Sequence, residues 1–508
     1  MRIALISPKW NKKANDYPPL GLGYLAAVLE QNHHQVKIFD FSLNSVSTLE
    51  SDVQQVTAFS PHLVGLTAMT SVYHSALETA TLLKAYLGRP IVLGGPHATM
   101  CPERILNESP VIDYIVRGEG EETVLELVEA LRGDRDLSSV NGLTYRRRGE
   151  VISNPDRELI TDLDALPFPA RHLFDLKRYG LCTPEGLPMA TILSSRGCPY
   201  NCSYCFKGIV GRTYRQRSPE NIIAELRQLI DEYGIRDFYF IDDLFTIDSR
   251  RLEAITAGLI AQRLDIRWQC LGRVDRVSAE SLRQMYAAGC RRIHYGIESG
   301  NQEILRRISK GIKLEQVRSA VRWAKEAGIQ VKGYFMLGLP GDTEETMQQT
   351  IDLAVELDLD ESMFSLTTPF PGTRLWDELV KKRPETEYNQ DFTRAYYYTN
   401  SDEQVLPFLN VSEVSDAVLG QWMRRAHAAL SEAKAKRLYR RAFGPSLGAM
   451  LWRVSRLEPL RKVARGLMQI GLFKRFAALR ARATATPGLA AGDGHSLATG
   501  DGAKPEEN

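Results

Sequence analysis

The 508-residue sequence lacks several features that would each decide its class. It has no uninterrupted apolar run of the roughly 18 residues that a membrane-spanning helix needs. Its formal net charge is only +2, which argues against a nucleic-acid-binding surface spread over the whole chain. Its seven cysteines are too few and too unevenly spaced for a disulfide framework. The opening MRIALISPKW does not resemble a secretory signal peptide, so we expect a cytoplasmic protein.

The composition is that of a globular protein with several domains. Hydrophobic residues make up 44% of the chain and charged residues 25%, which excludes a mostly disordered chain. At about 100–200 residues per domain, the length predicts about three domains.

Residues 1–145 alternate short apolar runs with amphipathic stretches, as is typical of an α/β domain. The alternation predicts a doubly wound, Rossmann-like parallel sheet, and such sheets bind ligands at the carboxyl ends of their strands. The predicted strands are 2–7, 36–41, 62–68, 89–95 and 114–120, and the predicted helices are 20–31, 75–87 and 121–132.

A second α/β region follows a connector, which we place at 146–187 because of its prolines and mixed polar content. Residues 188–410 contain six predicted strands, each followed by a helix or a long loop. This order predicts a (β/α)6 partial TIM barrel with functional loops at the carboxyl ends of its strands. The predicted strands are 189–195, 237–243, 266–274, 291–299, 330–340 and 362–370, and the helices between them include 220–233, 250–262, 279–288 and 314–327.

The carboxyl-terminal part loses the strand pattern, and residues 411–482 are predicted to be helical and basic. Residues 434–482 contain 14 Lys or Arg and one acidic residue, interleaved with leucine and aromatic residues. Such a segment suits peripheral contact with an anionic membrane, a helical cap over the barrel or an anionic partner. Nucleic acid is disfavoured because no recognisable RNA-binding module accompanies the segment. Residues 483–508 are predicted to be a disordered tail.

Three cysteines follow the first predicted strand of the second region, as Cys198-x3-Cys202-x2-Cys205. Thiolates that converge from one loop suit zinc or an iron–sulfur cluster. Structural zinc normally has four protein ligands, and no fourth Cys or His lies at the spacing of a zinc finger. Three thiolates would leave one iron of a four-iron cluster open to a small molecule. Zinc and three unrelated buried cysteines are the alternatives.

The C-x3-C-x2-C spacing, with Tyr204 just before the last cysteine, resembles the cluster loop of radical S-adenosylmethionine (SAM) enzymes. The resemblance implies that Cys198, Cys202 and Cys205 are the catalytic metal ligands, which bind a [4Fe-4S] cluster, and that SAM chelates the open iron. It also implies one-electron cleavage of SAM to a 5′-deoxyadenosyl radical, with an electron donor such as flavodoxin or ferredoxin.

Residues at the ends of the later barrel strands resemble the SAM contacts of this family. Asp242 and Asp243 follow Ile241 where the family usually has Gly-Gly-Glu, and the alternative for this pair is a cap on the following helix. For Arg273 the alternative is a surface ion pair. The residues that the resemblance implies in SAM binding are Asp242, Asp243, Arg273, Glu298, Ser299 and Gly338.

The first domain and the order of the domains resemble the cobalamin-dependent, or class B, radical SAM enzymes. The residues implied in cobalamin binding follow three strands, and they are Thr67, Thr70, Ser71, Gly94, Gly95, His97, Gly118 and Glu119. The Asp-x-His-x-x-Gly motif of many cobalamin domains is absent, since the matching position reads Asp40-Phe41-Ser42-Leu43. The resemblance therefore implies cobalamin without a histidine lower ligand. His97 as a substitute ligand, and a domain that has lost cobalamin, are the alternatives.

The resemblance implies a C-methyltransferase that acts on an unactivated carbon of a small-molecule substrate. A hydrophobic substrate, such as a hopanoid-like lipid or a tetrapyrrole, would agree with the basic amphipathic part and with a position at the inner face of the membrane. One alternative is a cyclase or rearrangement enzyme without methyl transfer, similar to the magnesium-protoporphyrin ester cyclases. The other is a non-catalytic cobalamin or iron–sulfur sensor.

Overall fold

The computed structural model describes residues 1–9, 17–43, 47–183, 186–384 and 406–455. Met1–His427 form one compact unit, and the described residues from Ala428 onward belong to a second. The predicted tail at 483–508 and residues 456–482 of the basic region lie outside the described residues.

The first domain contains a seven-stranded sheet flanked by helices on both faces. Its strands are β1 (Arg2–Ser7), β2 (Gln35–Asp40), β3 (Leu63–Thr67), β4 (Ile91–Gly94), β5 (Tyr114–Val116), β6 (Leu143–Arg147) and β7 (Glu150–Ser153). Its helices are α1 (Leu20–Gln31), α2 (Leu49–Phe59), α3 (Tyr73–Leu87), α4 (Pro96–Met100), α5 (Pro102–Glu108) and α6 (Glu121–Arg132). The strand order is β2-β1-β3-β4-β5-β6-β7, and separate apolar clusters pack under α2, α3 and α5 and under α1 and α6. The doubly wound α/β prediction is confirmed.

The sheet is mixed rather than wholly parallel, because β6 and β7 extend it in antiparallel pairs beyond β5. Arg148 and Gly149 join them with φ angles of 54° and 90°, which is the backbone of a two-residue hairpin turn. The predicted boundary after residue 145 therefore divides a hairpin. These two strands are not predicted from the sequence, because LTYRR and EVIS are partly polar and lack a long apolar run.

The second domain is the predicted open barrel, with six parallel strands in the order β15-β14-β13-β12-β11-β8 and a separate ladder of β9 with β10. The strands are β8 (Met189–Ile192), β9 (Ser195–Arg196), β10 (Arg215–Gln216), β11 (Asp237–Phe240), β12 (Arg267–Gly272), β13 (Cys290–Glu298), β14 (Gln330–Leu337) and β15 (Glu361–Leu366). The helices are α7 (Pro219–Tyr233), α8 (Ser249–Ala261), α9 (Ala279–Ala287), α10 (Gln302–Arg307), α11 (Leu314–Glu326), α12 (Glu344–Glu356) and α13 (Arg374–Lys382).

Large aromatic side chains fill the space between the barrel strands and their helices. The rings of Phe240 and Phe245 have centroids 4.6 Å apart, and Trp268 lies 5.6 and 5.4 Å from them. The Trp268 indole donates a hydrogen bond to the Ala288 carbonyl at the end of α9, at 2.8 Å. Since all six strands are parallel, their carboxyl ends share one edge, which carries the candidate site.

The described portion of the carboxyl-terminal part is helical as predicted, with α14 (Asp416–Phe443) and α15 (Pro445–Ser455). In the second unit, Tyr439 and Phe443 of α14 pack with Leu451 and Trp452 of α15. Within the described ranges, no helix has the length and apolar character needed to cross a membrane.

Candidate active site

We call the segment between β9 and β10, which carries Cys198, Cys202 and Cys205, the cysteine loop. A buried carboxylate anchors this loop. Asp242, just after β11, accepts hydrogen bonds from the N–H and hydroxyl of Ser194 at 2.6 and 2.5 Å and from the Ser195 hydroxyl at 2.6 Å. Arg251 donates to the Ser194 hydroxyl at 2.6 Å. Asp242 is fully buried, and Asp248 caps α8 instead. The helix-cap alternative for Asp242 is wrong, because Asp248 caps α8 and the Asp242 carboxylate fixes the junction that precedes the cysteines. A contact of Asp242 with SAM stays a prediction.

A glycine and the short β9–β10 ladder hold the two ends of the loop together. Gly197 has a φ of 87°, and a Cβ there would overlap the Thr213 carbonyl oxygen, so glycine is required at this position. Arg196 pairs with Arg215 across the ladder, which closes the base of the loop. The three cysteines therefore lie on a segment that leaves and rejoins the fold at one place.

The three cysteines are free thiols, with Cys198 buried and Cys202 and Cys205 partly exposed. Burial raises the pKa of Cys205, Lys207 opposes this, and Asp243 adds to it. Asp243, unlike its neighbour, is exposed and interacts with this loop. In the part of the chain that the structure describes, no three His, Cys, Asp or Glu side chains form a group that could hold a metal ion. The role of the cysteines as cluster ligands stays a prediction.

Four buried charged side chains join the first domain to the base of the cysteine loop. Arg196 donates to Glu119 at 2.8 Å and to Glu121 at 2.6 Å, and Arg215 donates to the other oxygen of Glu119 at 2.7 Å. Their side chains are between 2% and 7% exposed. The backbone N–H of Ile160 also donates to Glu119, at 2.9 Å. We call Glu119, Glu121, Arg196 and Arg215 the bridging cluster.

The bridging cluster gives the Glu119 side chain partners within the protein, and its contact with cobalamin stays a prediction. Both of its carboxylate oxygens accept hydrogen bonds from groups of the second domain and the connector. The sequence does not predict Arg196 and Arg215 as part of the site. They follow Glu119 by 77 and 96 positions, and no motif identifies them as its partners.

A second buried group connects the cysteine loop with the end of β13. Glu298 accepts hydrogen bonds from the Tyr204 hydroxyl at 2.9 Å and from the Lys310 ammonium at 2.8 Å, both on Oε1. The Lys310 ammonium also lies 3.2 Å from the Tyr204 hydroxyl. Glu298 has a φ of 68° at a register shift in β13, an uncommon backbone for a residue other than glycine. Lys310 was not predicted, since it lies in a loop without a motif.

Arg273 is buried rather than part of a surface ion pair. Its guanidinium lies 2.7 Å from Asp275, donates to the Lys310 carbonyl and stacks over the Tyr200 ring at 3.6 Å from the centroid. Arg273 thereby joins the end of β12 to Tyr200 of the cysteine loop and to the loop that carries Lys310. Its contact with SAM stays a prediction.

Ser299 and Gly338 each contact other parts of the fold. Ser299 is fully buried, and its hydroxyl pairs with Thr350 at 3.3 Å and accepts from the Asn301 N–H at 3.1 Å. A contact of Ser299 with SAM stays a prediction. Gly338 has a φ of 82°, and a Cβ there would lie 2.8 Å from the Leu419 side chain of α14. The absence of a side chain at Gly338 therefore lets Leu419 pack against the backbone.

The open edge of the first sheet gathers the other predicted cobalamin residues. Gly95 has a φ of 94°, and a Cβ there would lie 2.8 Å from the Thr67 hydroxyl and 2.9 Å from the Ala68 carbonyl oxygen. The Ser71 hydroxyl is buried and has no hydrogen-bond partner within the described residues. Thr67, Ser71, Gly94, Gly95 and Gly118 are all partly exposed there.

His97 is buried beside this edge. Its Nδ1 lies 3.3 Å from the Thr70 hydroxyl, and its ring packs on Tyr73 with the centroids 4.2 Å apart. Burial lowers the pKa of His97 to about 4, and Arg104 contributes in the same direction, so the ring is neutral at physiological pH. These contacts explain why histidine suits the Gly-Gly-Pro-His turn without a metal, and its role as a cobalt ligand stays an untested alternative.

The open edge of the first sheet faces the cysteine loop. A Cβ on Gly118 would lie 4.0 Å from the Ile209 carbonyl oxygen, and one on Gly208 would lie 2.8 Å from Sδ of Met100, at the end of α4. The Met100 side chain also packs on Gly372, after β15. The two predicted cofactor sites therefore meet across Met100, within the compact unit Met1–His427.

Comparison with known families agrees with this two-site architecture. The sequence model of the B12 binding domain matches residues 11–128, and that of the Radical SAM superfamily matches residues 192–354. Among solved structures, the radical S-adenosylmethionine methyltransferase TsrM from Kitasatospora setae has a similar fold, with a TM-score of 0.63 and 22% identity over 75% of each chain. The fold and the two matches define a two-domain enzyme with a B12 binding domain and a radical SAM barrel.

Two relatives are similar over most of their length. A protein of Pyrococcus horikoshii described as an uncharacterized methyltransferase is 39% identical over 72% of this chain and 78% of its own. The anaerobic magnesium-protoporphyrin IX monomethyl ester cyclase of Rubrivivax gelatinosus is 30% identical over 75% of this chain and 70% of its own. The chain belongs to the family of cobalamin-dependent radical SAM enzymes.

Lys310→Met tests the buried group at the end of β13. The substitution leaves Glu298 buried without its cation, so we expect the free energy of unfolding to fall by about 3 kcal/mol. Urea unfolding of the apo protein, followed by tryptophan fluorescence, measures the change. Lys313→Met, at an exposed position three residues away, should change it by less than about 0.5 kcal/mol. Equal losses in the two variants would contradict the assigned role of Lys310.

Proposed function

We propose that the chain is a C-methyltransferase that binds cobalamin at the open edge of the first sheet and a [4Fe-4S] cluster with SAM at the barrel edge. The observation that carries the proposal is the opposition of these two edges across Met100 in one compact unit. A methyl carrier and a radical generator must act on the same substrate carbon, so their sites must face each other across a small distance.

The residues present fit these groups. Three free thiols on one loop are the donor set of an iron–sulfur cluster with one open position, and Cys198, Cys202 and Cys205 would hold it. At the first sheet, the close backbone approach at Gly95 and the unpaired Ser71 hydroxyl suit a large ligand with hydrogen-bonding groups. Once bound, the three cofactors would supply one-electron chemistry and a methyl carrier.

The side chains of this protein would bind and orient those groups. Glu298 accepts on Oε1 from Tyr204 and Lys310. Within the described residues its Oε2 accepts no hydrogen bond, so Oε2 would accept from SAM hydroxyl groups. Arg273 and Asp243 would contribute charges of opposite sign at the same edge. The bridging cluster would hold the cysteine loop at a fixed distance from the first domain.

A cyclase or another radical reaction without methyl transfer is the second candidate function. The similarity to the Rubrivivax gelatinosus cyclase favours it, since that protein covers as much of this chain as the methyltransferase relative does. The mass of the product separates the two candidates, because methyl transfer adds one CH2 and cyclisation does not.

The test uses anaerobically reconstituted protein, SAM, a reductant and a metabolite extract from a strain that lacks the protein. We expect 5′-deoxyadenosine and one compound that gains a CH2 mass, both absent with Cys202→Ala. Consumption of a compound without the CH2 gain would contradict methyl transfer and favour the cyclase. No 5′-deoxyadenosine above the Cys202→Ala control would contradict an enzymatic role and favour a sensor.

We also propose two partners. A flavodoxin or ferredoxin would deliver the electron, and the carboxyl-terminal part would contact an anionic membrane from the cytoplasmic side. In α15 the exposed Leu447, Met450 and Val454 recur at helical spacing, and the end of α14 is rich in Lys and Arg. Exposed apolar residues beside basic ones favour an interface with anionic lipid.

Flotation with vesicles tests the membrane contact. Full-length protein should float with vesicles that contain anionic lipid and not with neutral vesicles. Met450→Glu should reduce recovery at least about threefold, because it places a charge in the apolar stripe. The same recovery for wild type, Met450→Glu and the control Glu432→Gln would contradict the contact.

A further inference from the structure

The inner face of the barrel is accessible, whereas its outer face is sealed by helices. Along β12 and β14, residues alternate between partly exposed and buried positions. The exposed set points inward, because Tyr239 of β11 reaches His294 of β13 across β12 at 3.4 Å. A barrel core is usually filled by branched apolar side chains. Here several inward residues are polar, and those of β12 and β14 are partly exposed.

The inward side chains become less polar from the amino ends of the barrel strands towards their carboxyl ends. The first inward layer is charged, with Arg292, Lys332 and Glu361. The second layer has hydrogen-bonding groups, and it consists of Tyr239, Gln269, His294 and Tyr334. The third layer, towards the carboxyl ends of the strands, is mostly apolar. It consists of Leu271, Gly296, Met336 and Met363, together with Ser365, whose hydroxyl donates to the Phe335 carbonyl at 3.5 Å.

The charged layer carries one positive charge in excess. Lys332 and Arg292 share the single carboxylate of Glu361, at 2.6 and 3.1 Å. Both cations face His294, whose pKa is lowered to about 3 by burial and by these two charges. The imidazole is therefore neutral and does not add to the positive charge.

The hydrogen-bonding layer converges on this neutral ring. Nε2 of His294 lies 3.0 Å from Oε1 of Gln269, and Nδ1 lies 3.2 Å from the Tyr334 hydroxyl and 3.4 Å from the Tyr239 hydroxyl. Thr191 pairs with Tyr239 in register, so it faces the same interior. The Thr191 hydroxyl is buried and lacks a hydrogen-bond partner within the described residues, which indicates a polar ligand in this layer.

We propose that the barrel interior binds an elongated substrate whose anionic oxygens, of a carboxylate or a phosphate, lie near Lys332 and whose reacting carbon lies in the apolar layer. The assignment of the reacting end rests on the proposed function, since it places the radical chemistry at the cysteine-loop edge. The anionic end follows from the charge of the first layer alone.

The strand length sets the size of this substrate. Lys332 and Met336 are four residues apart on β14, which is about 13 Å at about 3.3 Å per residue. A molecule as small as a free amino acid cannot reach both layers. A largely apolar molecule with one anionic end can, so Lys332 is a specificity-determining residue of the site.

The experiment uses the reconstituted holoenzyme and whichever extract compound it consumes, whether or not a CH2 is gained. We expect that compound to carry a carboxylate or a phosphate, and phosphatase treatment and carboxyl derivatisation before mass spectrometry distinguish the two. Lys332→Met should raise KM at least about tenfold with kcat within about twofold, because it removes a charge-assisted contact far from the reacting carbon. Lys332→Arg should restore most of the lost affinity.

Lys381→Met, at an exposed position of α13, is the matched control and should leave KM unchanged. Iron content and 5′-deoxyadenosine formation without substrate verify that each variant is folded and loaded. Consumption of an uncharged compound, or equal KM values for Lys332→Met and Lys381→Met, would overturn the inference. Consumption without a CH2 gain would overturn methyl transfer but leave the test of Lys332 intact.

Discussion

The bridging cluster is the constraint on which the arrangement of the two predicted cofactor sites depends. It places two carboxylates of the first domain against two guanidinium groups at the base of the cysteine loop, so the charges balance and every side chain is buried. Burial alone would lower the pKa of Arg196, but Glu121 and Glu119 raise it, which keeps the ions paired. Removing one partner of such a pair typically destabilises a protein by about 3–5 kcal/mol.

The same cluster contacts the base of the cysteine loop, whereas part of the loop beyond the base is partly exposed. Arg196 is two residues before Cys198, and Gly197 between them has a backbone that admits no side chain. The Asp242 carboxylate accepts hydrogen bonds from Ser194 and Ser195, which directly precede Arg196. The barrel and the first domain therefore both hold the base of the loop, while Cys202 and Cys205 stay partly exposed.

Much of the fold could be predicted from the sequence, because its elements have strong local periodicity. The bounds of β1, α1 and α6 match the prediction, and the barrel strands start within about a residue of it. The barrel strands end earlier than predicted, because their apolar runs continue into the loops. The polar hairpin β6–β7 and the helix α2 were missed, since neither presents a clear apolar pattern.

The candidate site could be predicted only where a local motif marks it. The cysteine spacing is local, and so are the glycines that follow β4. Apart from Asn301, the partners of Glu119, Asp242 and Ser299 lie 41 to 96 positions away in the chain, so no local pattern predicts these contacts. Lys310 and the inner layers of the barrel depend on tertiary packing and carry no motif.

Hydrogen exchange in residues 196–215 of the Glu119→Ala variant tests the role of the bridging cluster most directly. Amide exchange there, measured by mass spectrometry on the anaerobically reconstituted protein, should accelerate at least about tenfold, because the loop base loses its buried partners. The matched variant Glu122→Ala, whose carboxylate is more than half exposed and pairs with Arg157, should exchange like the wild type. Unchanged exchange in Glu119→Ala would contradict the claim that this cluster holds the cysteine loop against the first domain.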